Sequence, residues 1–214
     1  MNRLSPAHDI LPRERFDWGE VRGMAVPLKA PQRPATWVAD LSPLTRVLVK
    51  GGDAAGWLAA RGLPVPEDWF VCRDLAELGD DVFMARTGSG EFLLHDGPGG
   101  ALAERLGPLP EGLENGTRVL ARDDQEVALG GEHAAMLMAE FCALDLSTTG
   151  DALLYTRVAG VGVWLRVEAG PVYRMGCEPS YGEFLFETLM HGVREMQGEV
   201  IGFSDFYTIR EDPK

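Results

Sequence analysis

Residues 51–61 read "GGDAAGWLAAR". A glycine pair opening an alanine-rich helix is how phosphate-binding loops are built, so the first question is whether this is one. Laying residues 51–60 over residues 131–140, "GEHAAMLMAE", argues against it. Gly51, Ala54, Ala55 and Ala59 fall on Gly131, Ala134, Ala135 and Ala139, and each run follows an apolar strand candidate, "RVLVK" or "EVALG". A phosphate cradle needs successive unobstructed N–H groups and no carboxylate at its mouth. Asp53 and Glu132 stand at that mouth here, and the GxxxxGK[ST] and GxGxxG spacings are missing. The stretch reads instead as strand, glycine, helix, with Asp53 as N-cap, Trp57 and Leu58 as the buried stripe and Gly62 at the C′ position.

A second pair of segments repeats in the same order. Residues 99–106, "GGALAERL", match residues 182–189, "GEFLFETL", at Gly99/Gly182, Leu102/Leu185, Glu104/Glu187 and Leu106/Leu189. The offset is 80 residues for the first pair and 83 for the second. This predicts an α+β fold of two duplicated βα…ββα halves related by a pseudo-twofold. In the second half, residues 152–158, 161–168 and 172–175 are strand candidates. Val161, Val163, Leu165 and Val167 alternate with Gly162, Trp164, Arg166 and Glu168. "PSYGEFLFETLMHGVREMQG" is a helix with a Ser180/Glu183 capping box and a stripe of Leu185, Leu189, Val193 and Met196. The first half offers strands at 82–86 and 91–95 and a helix near 98–106. The Pro/Gly-rich run 107–116 connects the halves, which span about 37–110 and 117–202. The tail after Gly202, "FSDFYTIREDPK", allows a short strand or a partner-binding peptide.

Composition narrows the function. The net charge of −13 repels phosphate backbones and anionic lipid, so neither nucleic acid nor a membrane surface is expected as a partner. No apolar run reaches the length of a membrane span, and the first residues have no leader-like apolar core. Cys72, Cys142 and Cys177 are widely spaced, lack CxxC spacing and sit among apolar residues, as buried thiols of a reducing, cytoplasmic compartment do. His8, His95, His133 and His191 have no spaced Cys, His, Asp or Glu partner, so no metal site is expected. His95-Asp96 reads as a strand end and helix start, and Asp123-Asp124 as a solvated turn. With no GxSxG elbow or other nucleophile setting, no catalytic residue is assigned.

Two longer stretches carry a family resemblance. "VADLSPLTRVLVKGGDAAGWLAARGLPVP" resembles the opening of the gamma subunit of heterotetrameric sarcosine oxidase. "VALGGEHAAMLMAEFCALDLSTTGDALLYTRVAGVGVWLRV", continuing through "YRMGCEPSYGEFLFETLMHGV", resembles that subunit's continuation. The likeness covers about residues 38–198. These gamma subunits are in turn similar to the folate-binding domain of aminomethyltransferases. The resemblance implies a single gamma-subunit-like domain over 37–214 and a structural, non-catalytic role beside alpha, beta and delta subunits. The complex would oxidatively demethylate an N-methyl amino acid. It also implies that FAD, FMN, NAD, tetrahydrofolate and zinc are held by those partners and not by this chain. The competing reading is a free-standing, folate-binding aminomethyltransferase-like protein, with Glu91, Asp145 or Glu178 as the carboxylate in an apolar pocket. A further relative, the folate-binding iron–sulfur-assembly protein, has a K-G-C-[FY]-x-G-Q-E motif that "MGCEPSYGE" at 175–183 does not reproduce.

Residues 1–36 hold six cationic and four acidic side chains and Pro6, Pro12, Pro27, Pro31 and Pro34. They predict an extended arm that can build neither a helix nor a central strand. Its apolar residues are too many for a solvated linker. Phe16, Trp18, Val21, Met24, Val26 and Leu28 are therefore expected at a partner interface, with Phe16 and Trp18 as anchors.

Overall fold

The computed structural model describes residues 3–170 and 172–211, with side chains as far as Thr208 in the last helix. The chain opens with β1 (Arg3–Leu4), β2 (Asp17–Val21) and β3 (Met24–Lys29). β4 (Thr36–Asp40), β5 (Arg46–Gly51), α1 (Ala54–Ala59), β6 (Cys72–Asp74), β7 (Phe83–Gly88), β8 (Glu91–His95) and α2 (Ala101–Leu106) follow. β9 (Leu113–Glu114) and β10 (Thr117–Arg122) lead into β11 (Gln125–Gly131) and α3 (Ala134–Phe141). β12 (Leu153–Val158), β13 (Val161–Glu168), β14 (Val172–Cys177), α4 (Gly182–Glu195), β15 (Glu199–Ile201) and α5 (Phe203–Glu211) complete the described chain.

These elements divide into two compact units. One is Leu44–Asp123 with Asp151–Leu153. The other joins three segments: the chain up to Pro43, Asp124–Gly150, and everything from Leu154 onward. The first unit's sheet runs β6-β7-β8-β5-β10-β9. The second unit carries a sheet ordered β12-β13-β14-β11-β4-β15 and a small one ordered β1-β3-β2. The division differs from a cut through residues 107–116. β4 leaves the chain order to pair antiparallel with β11, and β10 turns back to pair antiparallel with β5.

The opening glycines are explained by those two pairings. Gly51 and Gly131 have φ of +143° and +97°. A Cβ on Gly51 would lie 2.1 Å from the Gly116 carbonyl oxygen, and one on Gly131 would lie 2.0 Å from that of Ala35. Each glycine lets the strand that crosses in approach the end of β5 or β11. No anion is needed to account for it. α1 has only six residues, and although Asp53 sits at its N-cap the carboxylate makes no capping bond.

Each unit buries its own apolar cluster. In the first unit Val47, Val49, Trp57, Leu58, Met84, Phe92, Leu94 and Leu102 pack between sheet and helices. In the second, Val38, Val127, Leu129, Leu137, Leu165, Met175, Leu185, Leu189 and Val193 do the same. α4 is as amphipathic as its sequence predicts, with the stripe Leu185, Leu189 and Val193 buried. Its capping box is not formed: Tyr181 is the N-cap, and Ser180 N–H donates instead to Glu178 in the short 3₁₀ turn ahead of the helix.

The arm is a correction. Residues 3–29 fold into the three-stranded sheet, and Ala7, Leu11 and Phe16 join the second unit's apolar cluster. The prolines are accommodated by short pairings. β1 pairs with β3 only at Met24 and Ala25, so Pro27 interrupts no ladder on that side, and on the other side a bulge falls between Asp17 and Trp18. The tail is the α5 helix, with Phe203 and Phe206 buried. It clasps the arm: Asp205 accepts from Ala30 N–H at 2.7 Å and from Gly202 N–H at 3.0 Å. Residues 1–2 and 212–214 lie outside the described residues.

Candidate functional site

A cluster of buried charged side chains lies on one face of the second unit's main sheet. Along β11, Val127 and Leu129 face the helices, so Glu126 faces the other way. Register carries the same face across the sheet: Glu126 lies opposite Gly176, Ala128 opposite Arg174, and Arg174 opposite Arg166. The Arg174 and Glu126 side chains are completely removed from solvent. Arg174 Nε donates to Glu126 Oε1 at 2.9 Å, its Nη2 reaches the same oxygen, and its Nη1 donates to Glu168 Oε1 at 3.4 Å. Arg166 lies 3.9 Å from the same Glu168 oxygen.

Aromatic rings wall this network. The Arg174 guanidinium sits 5.9 Å from the Phe206 ring centre, and Phe206 meets Trp37 edge-on at 5.8 Å. The Trp164 indole lies over Gly176, where a Cβ would come within 2.3 Å of its Nε1, and Nε1 donates to Asp124 Oδ2 at 3.1 Å. Asp124 is therefore a buried acceptor and not part of a solvated turn. On the helix face, Asp40 is likewise buried and accepts from Ser5, from Ser42 Oγ at 2.5 Å and from Ser42 N–H at 3.0 Å.

This arrangement fixes charge and offers little chemistry. A guanidinium keeps its charge at any working pH, so it orients carboxylates but does not exchange protons with them. Cys177, which ends β14, is pushed up to about 12 by burial first and then by the Asp124 and Glu178 carboxylates. It is a thiol and not a nucleophile at neutral pH. Cys72 and Cys142 are buried too. We expect all three to ignore Ellman's reagent at pH 8 in the folded protein and to react within minutes in guanidinium chloride. Rapid native labelling of even one would contradict the packing. Among the described residues, no three His, Cys, Asp or Glu side chains gather as a metal site.

The carboxylates considered for a folate pocket are elsewhere. Glu91 is half-buried on β8 and accepts from Thr87 Oγ1 at 2.9 Å. Asp145 is exposed, and hydrogen bonds from the Ser147 hydroxyl and then its N–H hold its carboxyl below the usual range. Glu178 is exposed and bonded to Ser180. None sits in an apolar setting, so none of the three fits that role. His95 is buried flat against Phe83, with ring centres 4.6 Å apart. Asp96 caps α2 through Leu102 and Ala103 N–H. Five of the six arm residues lie on the β2–β3 hairpin, where Trp18 opposes Pro27 and Val21 opposes Met24, and Phe16 immediately precedes it. Phe16, Met24 and Val26 are buried within the chain itself, whereas Trp18, Val21 and Leu28 are half-buried.

Sequence reading missed Glu126, Arg174 and Glu168. For Glu126 and Arg174 the signal is a single charge inside a largely apolar strand, "QEVALGG" and "VYRMGC".

No family profile matches the sequence, and neither does any curated protein. Solved structures do match the fold. The glycine cleavage system aminomethyltransferase T from Bartonella henselae superposes with a TM-score of 0.63 at 18% identity, over 95% of this chain and 60% of that one. A chain of the heterotetrameric sarcosine oxidase from Corynebacterium sp. U-96, in complex with pyrrole 2-carboxylate, superposes with a TM-score of 0.60 at 20% identity, over 92% of this chain and 97% of that one. The present chain thus spans well under two thirds of the aminomethyltransferase and nearly all of the sarcosine oxidase chain. The α+β, aminomethyltransferase-like fold is established by these matches. No helix among the described residues is long and apolar enough to cross a membrane.

Proposed function

We propose that this chain is the non-catalytic, structural gamma subunit of a heterotetrameric, flavin-dependent complex of the sarcosine oxidase type, which oxidatively demethylates an N-methyl amino acid. The observation that carries the reading is extent: the chain matches 97% of a sarcosine oxidase chain but only 60% of the aminomethyltransferase. The charge-saturated Arg174 network and the inert Cys177 thiol support a structural role. On this reading FAD, FMN, NAD, tetrahydrofolate and zinc belong to the alpha, beta and delta partners, and the half-buried Trp18, Val21 and Leu28 remain available to them. We also read the two six-stranded sheets as copies of one duplicated unit related by a pseudo-twofold. The matching strand orders, the reciprocal crossing of β4 and β10 and the paired glycines Gly51 and Gly131 support that reading.

The runner-up is a free-standing, folate-binding aminomethyltransferase-like protein, favoured by the TM-score of 0.63 to aminomethyltransferase T. Two measurements separate the readings. Affinity purification of the tagged chain from its native host should recover a flavin-absorbing complex in stoichiometric amount. Titration of the isolated chain with tetrahydrofolate should give no heat of binding at micromolar concentrations. Micromolar binding without a flavoprotein would transfer the assignment to the runner-up.

A further inference from the structure

Just before β6, the run Trp69-Phe70-Val71 presents three large apolar side chains to solvent, 52%, 39% and 40% exposed. Single exposed apolar residues are ordinary, but a contiguous run is not. None of the three belongs to the apolar cluster of its unit.

The run is also held rigidly. Trp69 makes a parallel bridge to Arg86 and Val71 an antiparallel bridge to Ala152. Phe70 N–H donates to the Arg86 carbonyl at 2.8 Å, Leu153 N–H donates to the Phe70 carbonyl at 2.8 Å, and Cys72 N–H donates to that of Asp151 at 2.7 Å. Phe70 has a φ of +57°, which is strained for an aromatic residue and easier for glycine or asparagine. From behind, the Arg86 guanidinium stands 5.5 Å from the Trp69 ring centre and 5.8 Å from that of Phe92. It donates to the carbonyls of Gly88, Glu67 and Ser89 at 3.2, 3.3 and 2.8 Å. Trp69 is thus in place before anything meets it, which lowers the ordering cost of association.

The surrounding charge selects the partner. Arg86 is turned onto those backbone carbonyls, and the ionisable residues around the run are Glu67, Asp68, Asp74 and Asp151 against Arg73, all exposed. Carboxylates outnumber cations, so a surface of opposite sign is favoured. A second copy would bring the same acidic rim on a chain of net charge −13, which opposes self-pairing. We infer that Trp69-Phe70-Val71 is a docking surface for a partner polypeptide whose contact face is an apolar pocket rimmed by Lys and Arg. This goes beyond the subunit assignment and does not depend on which complex is formed.

The probe is a photoreactive p-benzoylphenylalanine replacing Val71 in the full chain, irradiated at native expression level in its host. The expected product is a crosslink to one polypeptide at a site flanked by Lys or Arg. Its yield should fall at least tenfold with Trp69→Ala and also with the charge-reversing pair Glu67→Lys and Asp68→Lys. Both variants should keep the wild-type circular dichroism. The pair leaves the apolar run untouched, so it tests the rim even if Trp69→Ala perturbs the loop. No crosslink, a crosslink to a second copy, a site flanked by acidic residues, or a yield indifferent to the variants would each overturn the inference.

Discussion

A chain lacking residues 2–34 is expected to come out insoluble, or to melt without a cooperative transition in its second unit. The arm residues Leu11 and Phe16 lie in the same apolar cluster as Leu185, Phe186 and Val193. Truncating one buried leucine or phenylalanine to alanine typically costs about 2–5 kcal/mol, and a whole domain is stable by only about 5–15 kcal/mol. The deletion removes both side chains, together with Ala7, the β2–β3 hairpin and the Ser5 hydroxyl that donates to buried Asp40. It also strips α5 of the Ala30 N–H bonded to Asp205. Urea titration followed by circular dichroism, alongside the full chain, reads the result. A truncated chain with an unchanged midpoint would show that these contacts contribute nothing.

Replacing Arg174 by methionine is the second large effect. It leaves Glu126 fully buried with the guanidinium gone and takes from Glu168 the Arg174 contact at 3.4 Å. Losing one partner of a buried pair costs about 3–5 kcal/mol, whereas replacing both by apolar groups is often close to neutral. Arg174→Met should therefore lower the urea midpoint sharply, and Glu126→Leu with Arg174→Met should restore much of the loss. A double-mutant cycle with no coupling between the two positions would remove the ion pair from the account of stability.

Local physics made part of the fold legible. Strand, glycine and amphipathic helix announce themselves in a dozen residues, and β5 with α1, β11 with α3, and α4 all stand where their patterns put them. Pairing between distant strands has no local signal. Nothing in "TWVAD" says that β4 will lie beside β11, some ninety residues later. Proline counts against a central strand in the arm, yet β3 lies between β1 and β2, and Pro27 loses no ladder bond where β1 has already ended. The ionic network was hidden for the opposite reason. Glu126 and Arg174 each look like a lone polar residue on a strand, and only the register across β11, β14 and β13 brings them onto one face.

The reciprocal crossing of β4 and β10 has a consequence during synthesis. Residues up to Pro43 emerge from the ribosome first, yet their unit is finished only by Asp124–Gly150 and the chain from Leu154 onward. At roughly 5–20 residues per second, the early hairpin and β4 wait on the order of ten seconds or more for β11 and α4 to appear. The intervening unit, almost wholly Leu44–Asp123, has its strands in hand much sooner. It is suited to condense first and to hold the two ends of the outer segments near each other, shortening the loop they must close. Meanwhile β4, whose five residues are all buried in the finished protein, is a strand with neither neighbour yet made. That interval is when a nascent chain of this design most needs shielding, and slowed translation past Asp123 would lengthen it.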